Sequence, residues 1–276
     1  MMQWPEDEQL TRWWPFLGTI DTHTPVGSGV ELSTTTGVWH LKRRTSARAD
    51  AELLVTSQLH AAGVPVTLLS RAPGDPTPGT TWLVYRALPG RPFNDFFSPS
   101  GRRAAFLLGR DCAILHRHLA GFDLGRLREL GVADRPATTD LGVQLLHRDY
   151  HPGNVLYDGE RVTGYLDFDH LEIGTRMIDV VYCLGGMAAS AIDSDGVDPA
   201  TFDAGTWTQR WRDLLDGYDS VSPILPGEAD ALTDLFVEVE NDFVDWFASI
   251  GDEPNVELTH RLIDLGRRHP HRWRRS

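Results

Sequence analysis

The segment from residue 147 to 154, with an aspartate that follows it, constrains this chain more than any other feature. Asp149 precedes Asn154 by five residues, a spacing that fits one tight loop with both side chains facing one site. A short strand at 165–166 then leads into Asp167, thirteen residues after the asparagine. Because short strands bound the loop and return the chain to it, we predict that these three side chains meet.

Two carboxylates and one amide are the groups that phosphoryl transfer requires. The transferred group is anionic, so catalysis consists mainly of positioning and neutralisation of charge. We expect Asp149 to lie beside an attacking hydroxyl, Asp167 to hold Mg²⁺ against phosphates, and Asn154 to complete the metal shell without adding repulsion between carboxylates. The alternative is that all three are turn or cap residues, since Asp and Asn favour turns.

Lysine usage singles out another position. Lys42 is the only lysine among 26 basic residues, all the others being arginine. The two residue types are interchangeable on a solvated surface but not where a compact ammonium must fit a tight site. We therefore expect a function for Lys42, with chance survival of one lysine as the alternative.

The hydrophobic pattern divides the chain in two. Strand and turn signals dominate the first part around a single helical pattern at 47–62, and a break rich in proline and glycine follows at 88–92. The helical period then takes over and is clearest at 230–250. We predict an α+β fold with a small, mainly β lobe over 1–88 and a larger, mainly helical lobe over 89–276, joined by a hinge near 84–90.

Composition excludes several classes of function. The formal net charge of −13 argues against general binding to nucleic acid or to anionic membranes. The chain has no apolar run of about 18 residues, and its N-terminus is acidic, so we expect neither a membrane span nor a signal peptide. Two separate cysteines in apolar contexts favour reduced thiols and a cytoplasmic protein, for which monomer and homodimer both remain open.

The motifs resemble a known group of enzymes. His-Arg-Asp at 147–149 with Asn154, followed by Asp-Phe at 167–168, is similar to the catalytic and metal-binding segments of protein kinases. The run His-Pro-Gly-Asn at 151–154, and Asp169 where protein kinases carry glycine, resemble the small-molecule branch, the aminoglycoside phosphotransferase, choline kinase and homoserine kinase superfamily. The resemblance implies a protein-kinase-like two-lobed fold, ATP and Mg²⁺ as cofactors, Asp149 as the catalytic residue and Asn154 and Asp167 as metal ligands.

The same resemblance extends to the first lobe. Lys42 corresponds to the ATP-binding lysine of the superfamily, and Glu52 to the glutamate that pairs with it. Val84 and Arg86 fall where a hinge would contact adenine through backbone groups, and Ser28 lies between two glycines in the expected phosphate-covering loop. That loop lacks the third glycine of protein kinases, as the small-molecule branch often does.

Together these features imply an ATP-dependent O-phosphotransferase that acts on a small molecule. The negative net charge favours a cationic, amine-bearing acceptor such as an aminoglycoside. A homoserine- or choline-type metabolite remains open. A protein kinase is disfavoured because only ten residues separate Asp169 from Asp179, which leaves little room for a peptide-docking segment. Two further rivals are a catalytically silent nucleotide-binding module and a metallohydrolase using the histidines and aspartates at 147–170.

The helix predicted at 230–250 has an acidic side. It comprises Asp234, Glu238, Asp242 and Asp245, opposite the apolar stripe. A solvated face is the plain interpretation. An acidic acceptor groove is the alternative.

Overall fold

The strand-forming part of the chain builds one antiparallel sheet. The computed structural model describes residues 4–27, 29–74, 78–135, 141–195 and 203–268. Its first sheet has the order β1-β2-β3-β5-β4. The strands are β1 (Ile20–Val26), β2 (Gly29–Thr34), β3 (Gly37–Thr45), β4 (Leu69–Arg71) and β5 (Thr80–Arg86).

Two helices flank this sheet. The helix α1 (Asp7–Trp13) covers one face, where Leu10 and Trp14 pack against alternate residues of β2 and β3 such as Leu32 and Leu41. The helix α2 (Ser46–Ala61) follows β3 directly, because the Thr45 side chain accepts a hydrogen bond from an amide of the first turn. Since side chains alternate along a strand, Lys42 leaves the sheet on the face opposite Leu41.

The second part of the chain is mainly helical. Its helices are α3 (Gly101–Leu119), α4 (Leu124–Glu129), α5 (Met177–Asp195), α6 (Ala204–Asp219), α7 (Pro226–Ile250) and α8 (Glu253–Arg268). Five short strands lie between α4 and α5: β6 (Ala133–Asp134), β7 (Gln144–Leu146), β8 (Val155–Asp158), β9 (Arg161–Tyr165) and β10 (Glu172–Gly174). Within the described residues, no helix is both long enough and apolar enough to cross a membrane.

Close helix packing gives this part a rigid base. In α3, Gly109 lies against the backbone carbonyl of Leu214 in α6, and Gly217 of α6 lies against the carbonyl of Phe106. A β-carbon at either glycine would collide with backbone, so only glycine permits this approach. The core beside it is large and aromatic, with Trp207 and other rings of α6 and α7 buried.

The short strands position the predicted loop. β8 and β9 form an antiparallel hairpin, while β10 lies between β6 and β7. The loop from β7 to β8 therefore starts in one small sheet and ends in the other, and Asp167 follows β9 at the same end. The first sheet ends at Arg86 and the next long helix starts at Gly101, and the lobe division near residue 88 stays a prediction.

Candidate active site

The two sequence blocks meet at Lys42. Its Nζ donates a hydrogen bond to Glu52 in α2 and lies 3.0 Å from Oδ1 of Asp167, which is 125 residues away in sequence. Burial alone would lower the pKa of Lys42, but the carboxylates of Glu52 and Asp167 outweigh that effect and raise it. Lys42 is therefore a charged ammonium at 5% exposure, held between one carboxylate of each block.

Asp167 depends on this pairing. Burial would raise the pKa of its carboxyl, but the nearby charges of Lys42 and Arg44 lower it. The residue adopts a left-handed backbone conformation, with φ of 57°. Such a conformation is unfavourable for a residue other than glycine and is often found at functional sites.

Arg44 is a member of the site that the motifs did not reveal. Its Nη2 lies 2.6 Å from Oδ2 of Asp169 and 3.6 Å from Oδ1 of Asp167. The signal was present in the sequence, because Arg44 lies two residues after Lys42 on a strand and so shares its face. A second cation thus lies near Asp167, and it also pairs with Asp169.

The carboxylate of Asp149 is held at both oxygens. Oδ2 accepts a hydrogen bond from Nδ2 of Asn154 at 2.7 Å, and Oδ1 accepts one from the Tyr182 hydroxyl at 2.7 Å. Asn154 Nδ2 also donates to the backbone carbonyl of Asp149 at 3.0 Å, which closes the loop as the five-residue spacing predicts. Tyr182 comes from α5 and was not identified from the sequence.

A buried carboxylate fixes the loop that carries Asp149. Asp179, at the start of α5, accepts hydrogen bonds from the backbone amides of His147 at 2.9 Å and Arg148 at 2.8 Å, and from His116 at 3.0 Å. Burial would raise the pKa of Asp179, but His116 and His147 lower it, so it remains an ionised acceptor. These bonds hold Arg148 at a φ of 67°, an otherwise unfavourable conformation.

His147 is a structural residue of the loop. Its Nε2 lies 2.7 Å from the carbonyl of Leu166, the residue before Asp167, and its Nδ1 accepts from the amide of Asp149 at 3.3 Å. The imidazole thus joins the two segments that carry the aspartates.

The predicted nucleotide-hinge residues are placed on β5. Val84 is buried under α1, and the Arg86 guanidinium donates to the carbonyl of Thr36 at 3.3 Å. Between them Tyr85 turns toward the site, with its ring centroid 5.3 Å from Lys42 Nζ. Contacts of Val84 and Arg86 with adenine stay a prediction, and Ser28 lies outside the described residues.

A central cavity of about 960 Å³ opens beside Asp149. It lies between the loop that carries Asp149 and the helices α5, α7 and α8, and its walls include Asp149, His151, Tyr182, Glu240, Phe243 and Asn255. Phe243 and Tyr182 contact each other with ring centroids 4.8 Å apart. The cavity has room for a small molecule beside Asp149.

The acidic side of α7 is only partly available to such a molecule. Glu238 and Asp242 each accept a hydrogen bond from Arg135 at 2.8 Å, and Asp242 also accepts one from Arg148 at 2.9 Å. Asp234 and Asp245 are exposed. Two of the four predicted acidic side chains are therefore already paired with arginines.

Residues 124–222 match the family described as "Phosphotransferase enzyme family". Homoserine kinase of Gluconacetobacter diazotrophicus is 36% identical over 97 residues, 35% of this chain and 27% of that protein. Homoserine kinase of Brucella anthropi is 33% identical over 104 residues, 38% of this chain and 28% of that protein. The matches thus span about a quarter of the length of these relatives. They confirm the resemblance identified in the motifs.

Solved structures share the fold across nearly the whole chain. A thermostable mutant of aminoglycoside phosphotransferase APH(4)-Ia has a TM-score of 0.64 at 13% identity, covering 95% of this chain and 99% of that one. Macrolide 2′-phosphotransferase MphH from Brachybacterium faecium has a TM-score of 0.57 at 18% identity, covering 92% and 97%. These likenesses confirm the predicted α+β, two-lobed, protein-kinase-like fold.

Proposed function

We propose that this protein is a small-molecule kinase, which transfers the γ-phosphoryl group of ATP to a hydroxyl of an amine-bearing acceptor. The observation that carries the proposal is the 3.0 Å contact between Lys42 Nζ and Asp167 Oδ1. It joins two motifs that were identified independently in distant parts of the sequence. Asp149 lies at the wall of the central cavity, which Asp169, two residues after Asp167, also lines.

The residues present fit a nucleotide with Mg²⁺. The Asp167 side chain is 40% exposed, so its carboxylate is accessible to a ligand. Asn154 directs its amide nitrogen to Asp149, which leaves the amide oxygen as the ligand atom. Carboxylate and amide oxygens are hard ligands, and Mg²⁺ bound with ATP takes few protein ligands because phosphate oxygens and water complete its shell. When bound, the ion would neutralise phosphate charge, while Lys42 supplies a compact cation to the phosphates.

Asp149 would orient the acceptor and take its proton. The acceptor oxygen forms a bond to the γ-phosphorus as the bond to the bridging oxygen breaks, and ADP leaves. The hydroxyl proton passes to Asp149, whose carboxylate Asn154 and Tyr182 hold in place. Positioning of this kind needs a rigid loop, and Asp179 makes the loop rigid by accepting hydrogen bonds from its backbone amides.

An amine-bearing acceptor is supported by the walls of the central cavity. Carboxylates and aromatic rings line it together, including Glu240, Asp252 and Phe243. Proteins of similar fold have been solved as the GDP and kanamycin complex of APH(2″)-IIia and as the ternary complex of APH(4)-Ia with ADP and hygromycin B. A homoserine-type metabolite is the second candidate, favoured by the homoserine kinase matches.

The two rival classes make different demands. A metallohydrolase needs several ligands on one ion, yet among the described residues no three His, Cys, Asp or Glu side chains are placed to hold a metal. His147 is already engaged with the Leu166 carbonyl. A silent nucleotide-binding module would have no use for Asp149 in this position beside a cavity.

A coupled assay of ADP release tests the proposal. The protein is incubated with Mg·ATP and a panel of amine-bearing alcohols and antibiotics that includes homoserine, choline, kanamycin and hygromycin B. We expect turnover with at least one acceptor, and mass spectrometry should find one added phosphoryl group on it. The matched controls are Asp149→Asn, which should be inactive, and Asp158→Asn on the exposed side of β8, which should not be impaired.

Two results would overturn the proposal. Mg·ATP binding without transfer to any acceptor would favour the silent module. Stoichiometric zinc in the purified protein without ATP binding would favour the metallohydrolase.

A further inference from the structure

Glu240 is a buried carboxyl without a partner in the wall of the central cavity. It lies in α7 at 1% exposure, and within the described chain its Oε1 accepts no hydrogen bond. The carboxyl group covers Gly185 of α5, where a β-carbon would collide with it. An unpaired buried carboxyl is costly, so its presence in a cavity wall indicates that something else pairs with it.

A second atom of the cavity wall is also a hydrogen-bond acceptor without a donor. Asn255 Oδ1 is buried without a hydrogen bond inside the described part of the chain, and Asn255 lines the same cavity. Asn255 directs its amide nitrogen to Asp252 at 2.8 Å, so the oxygen is the atom left over. Two such oxygens and a cavity imply a ligand that brings hydrogen-bond donors.

Helix α5 sets the position of Glu240 relative to Asp149. Tyr182, which donates to Asp149, lies three residues before Gly185, which Glu240 covers, and so both are on one face of α5. The next residue, Gly186, lies against the side chain of His151 in the catalytic loop. Three residues of helix rise about 4.5 Å, so the position that Glu240 covers lies roughly one helical turn along α5 from the position of Tyr182.

We propose that Glu240 is an ammonium-binding subsite of the central cavity, which docks a protonated amine of the acceptor while a hydroxyl lies against Asp149. The placement of the hydroxyl rests on the proposed function, whereas the placement of the amine rests on the geometry of the cavity alone. Glu240 is thus a specificity-determining residue.

The protonation state of Glu240 would report on a bound cation. Burial raises the pKa of Glu240 to about 8, with no neighbouring charge contributing. α5 presents Gly185 to it, while the other carboxylates of the cavity wall have partners of their own: Asp149 accepts from Tyr182, Asp169 pairs with Arg44, Glu172 with Arg148, Asp242 with Arg135 and Arg148, and Asp252 accepts from Asn255. In the empty cavity Glu240 is therefore mostly protonated at neutral pH, and an incoming ammonium would ionise it and release a proton.

The aromatic walls fit the same occupant. Phe243 and Phe247 line the cavity on the helix that carries Glu240, and their rings are stacked with centroids 5.9 Å apart. Aromatic faces attract cations, more strongly where water is excluded. A neutral alcohol would gain neither this attraction nor the ion pair.

A carboxyl ¹³C titration tests the subsite without nucleotide. Protein labelled at the glutamate side-chain carboxyl carbon is titrated alone, with 4-aminobutan-1-ol, and with butane-1,4-diol at equal concentration and ionic strength. The Glu240 signal is identified by its loss in Glu240→Gln, or in Glu240→Asp if the first variant does not fold. We expect the amine to lower the pKa of Glu240 by about one unit or more, a tenfold preference for the charged form, and the diol to leave it unchanged.

The matched control is Asp234→Asn, which removes an exposed acid from the same helix and should respond like the wild type. An equal response to both probes, or none to the amine, would overturn the subsite. An unaltered Glu240 signal beside efficient phosphoryl transfer would reject the subsite and leave the kinase proposal standing. An amine-dependent shift of the Glu240 pKa in a protein that phosphorylates nothing would support the subsite and reject the kinase proposal.

Discussion

The two parts of the candidate site differ in how their charges are paired. In the part that we call the nucleotide end, Lys42, Glu52 and Asp167 form a chain of ion pairs, and Arg44 adds a second cation, 2.6 Å from Asp169 and 3.9 Å from Glu52. In the central cavity, Glu240 and Asn255 each keep an oxygen that has neither a hydrogen bond nor an ion pair inside the described residues. The nucleotide end is thus pre-organised around its own charges, whereas the cavity is completed only by a ligand with donors.

This difference has a consequence for specificity. A paired network keeps its geometry whether or not a ligand is bound, which suits a cofactor common to every turnover. Buried oxygens without a hydrogen bond disfavour any bound molecule that cannot donate to them. They therefore discriminate between candidate substrates. On this view the nucleotide end provides catalytic geometry and the cavity chooses the substrate.

The largest effect should follow from a change at Asp149, which lines the central cavity. We expect Asp149→Asn to bind Mg·ATP as the wild type does but to lose phosphotransfer by about 10²–10⁴-fold, because the proton acceptor is gone while nucleotide contacts remain. Calorimetry with Mg·ATP and steady-state kinetics measure the two parts. Near-normal turnover in the variant would show that the cavity is not beside the reacting group.

Glu240 provides the next test, through the pH dependence of stability. Its pKa is about 8 in the folded protein and near 4.3 in an unfolded chain, so between these values the folded state holds a proton that the unfolded state lacks. Stability attributable to this residue therefore falls as pH rises, by roughly tenfold in the folding constant per pH unit between about 5 and 8, and levels off above.

Glu240→Gln removes this dependence. We expect the variant to gain stability over the wild type progressively across that pH window, as measured by denaturant unfolding at several pH values. Asp234→Asn, exposed on the same helix, should track the wild type within about 0.5 kcal/mol. A constant difference between Glu240→Gln and wild type at every pH would mean that the carboxyl is not titrating in this range.

The nucleotide end is tested by its single lysine. Amine-directed labelling can modify only Lys42 and the α-amino group, and bound Mg·ATP should protect Lys42. Lys42→Arg should lower kcat/KM by about tenfold or more, because a planar guanidinium cannot replace a compact ammonium between Glu52 and Asp167. Equal labelling with and without nucleotide, together with full activity of Lys42→Arg, would remove this end from the mechanism.

Some elements of the structure could be predicted from the sequence and others could not, depending on how regular and how local their patterns are. The loop with Asp149 and Asn154 was predictable because its contacts close within five residues, and α7 because its apolar stripe is long and regular. The sequence gives no clear signal for β1, since it is a mostly exposed edge strand without alternation of buried and exposed residues. Short α1 also gave no clear pattern.

Long-range partners explain the remaining misses in the site. Tyr182 bonds to Asp149 across 33 residues, and nothing near either one marks the contact. Glu240 lies among apolar neighbours on the buried side of α7, while the sequence drew attention to the acidic residues on the other side. A burial pattern with one carboxylate inside the apolar stripe is the signal that would have found it.

The smallest effect should come from Tyr182, which joins Asp149 to the aromatic wall of the central cavity. Its hydroxyl donates to Asp149 at 2.7 Å, its ring packs against Phe243 of the central cavity, and the Arg148 guanidinium lies over it at 5.5 Å. Burial raises the pKa of this phenol far above its usual value, so it stays a donor throughout the working pH range.

Tyr182→Phe keeps the ring contacts and removes one hydrogen bond, while Asn154 still holds the other oxygen of Asp149. Because a hydrogen bond to a charged group contributes about 1.5 kcal/mol or more, we expect kcat to fall roughly tenfold with KM for the acceptor nearly unchanged. A rise in KM with kcat preserved would instead place the hydroxyl in acceptor binding, and the division between a catalytic end and a selective cavity would have to be redrawn at this residue.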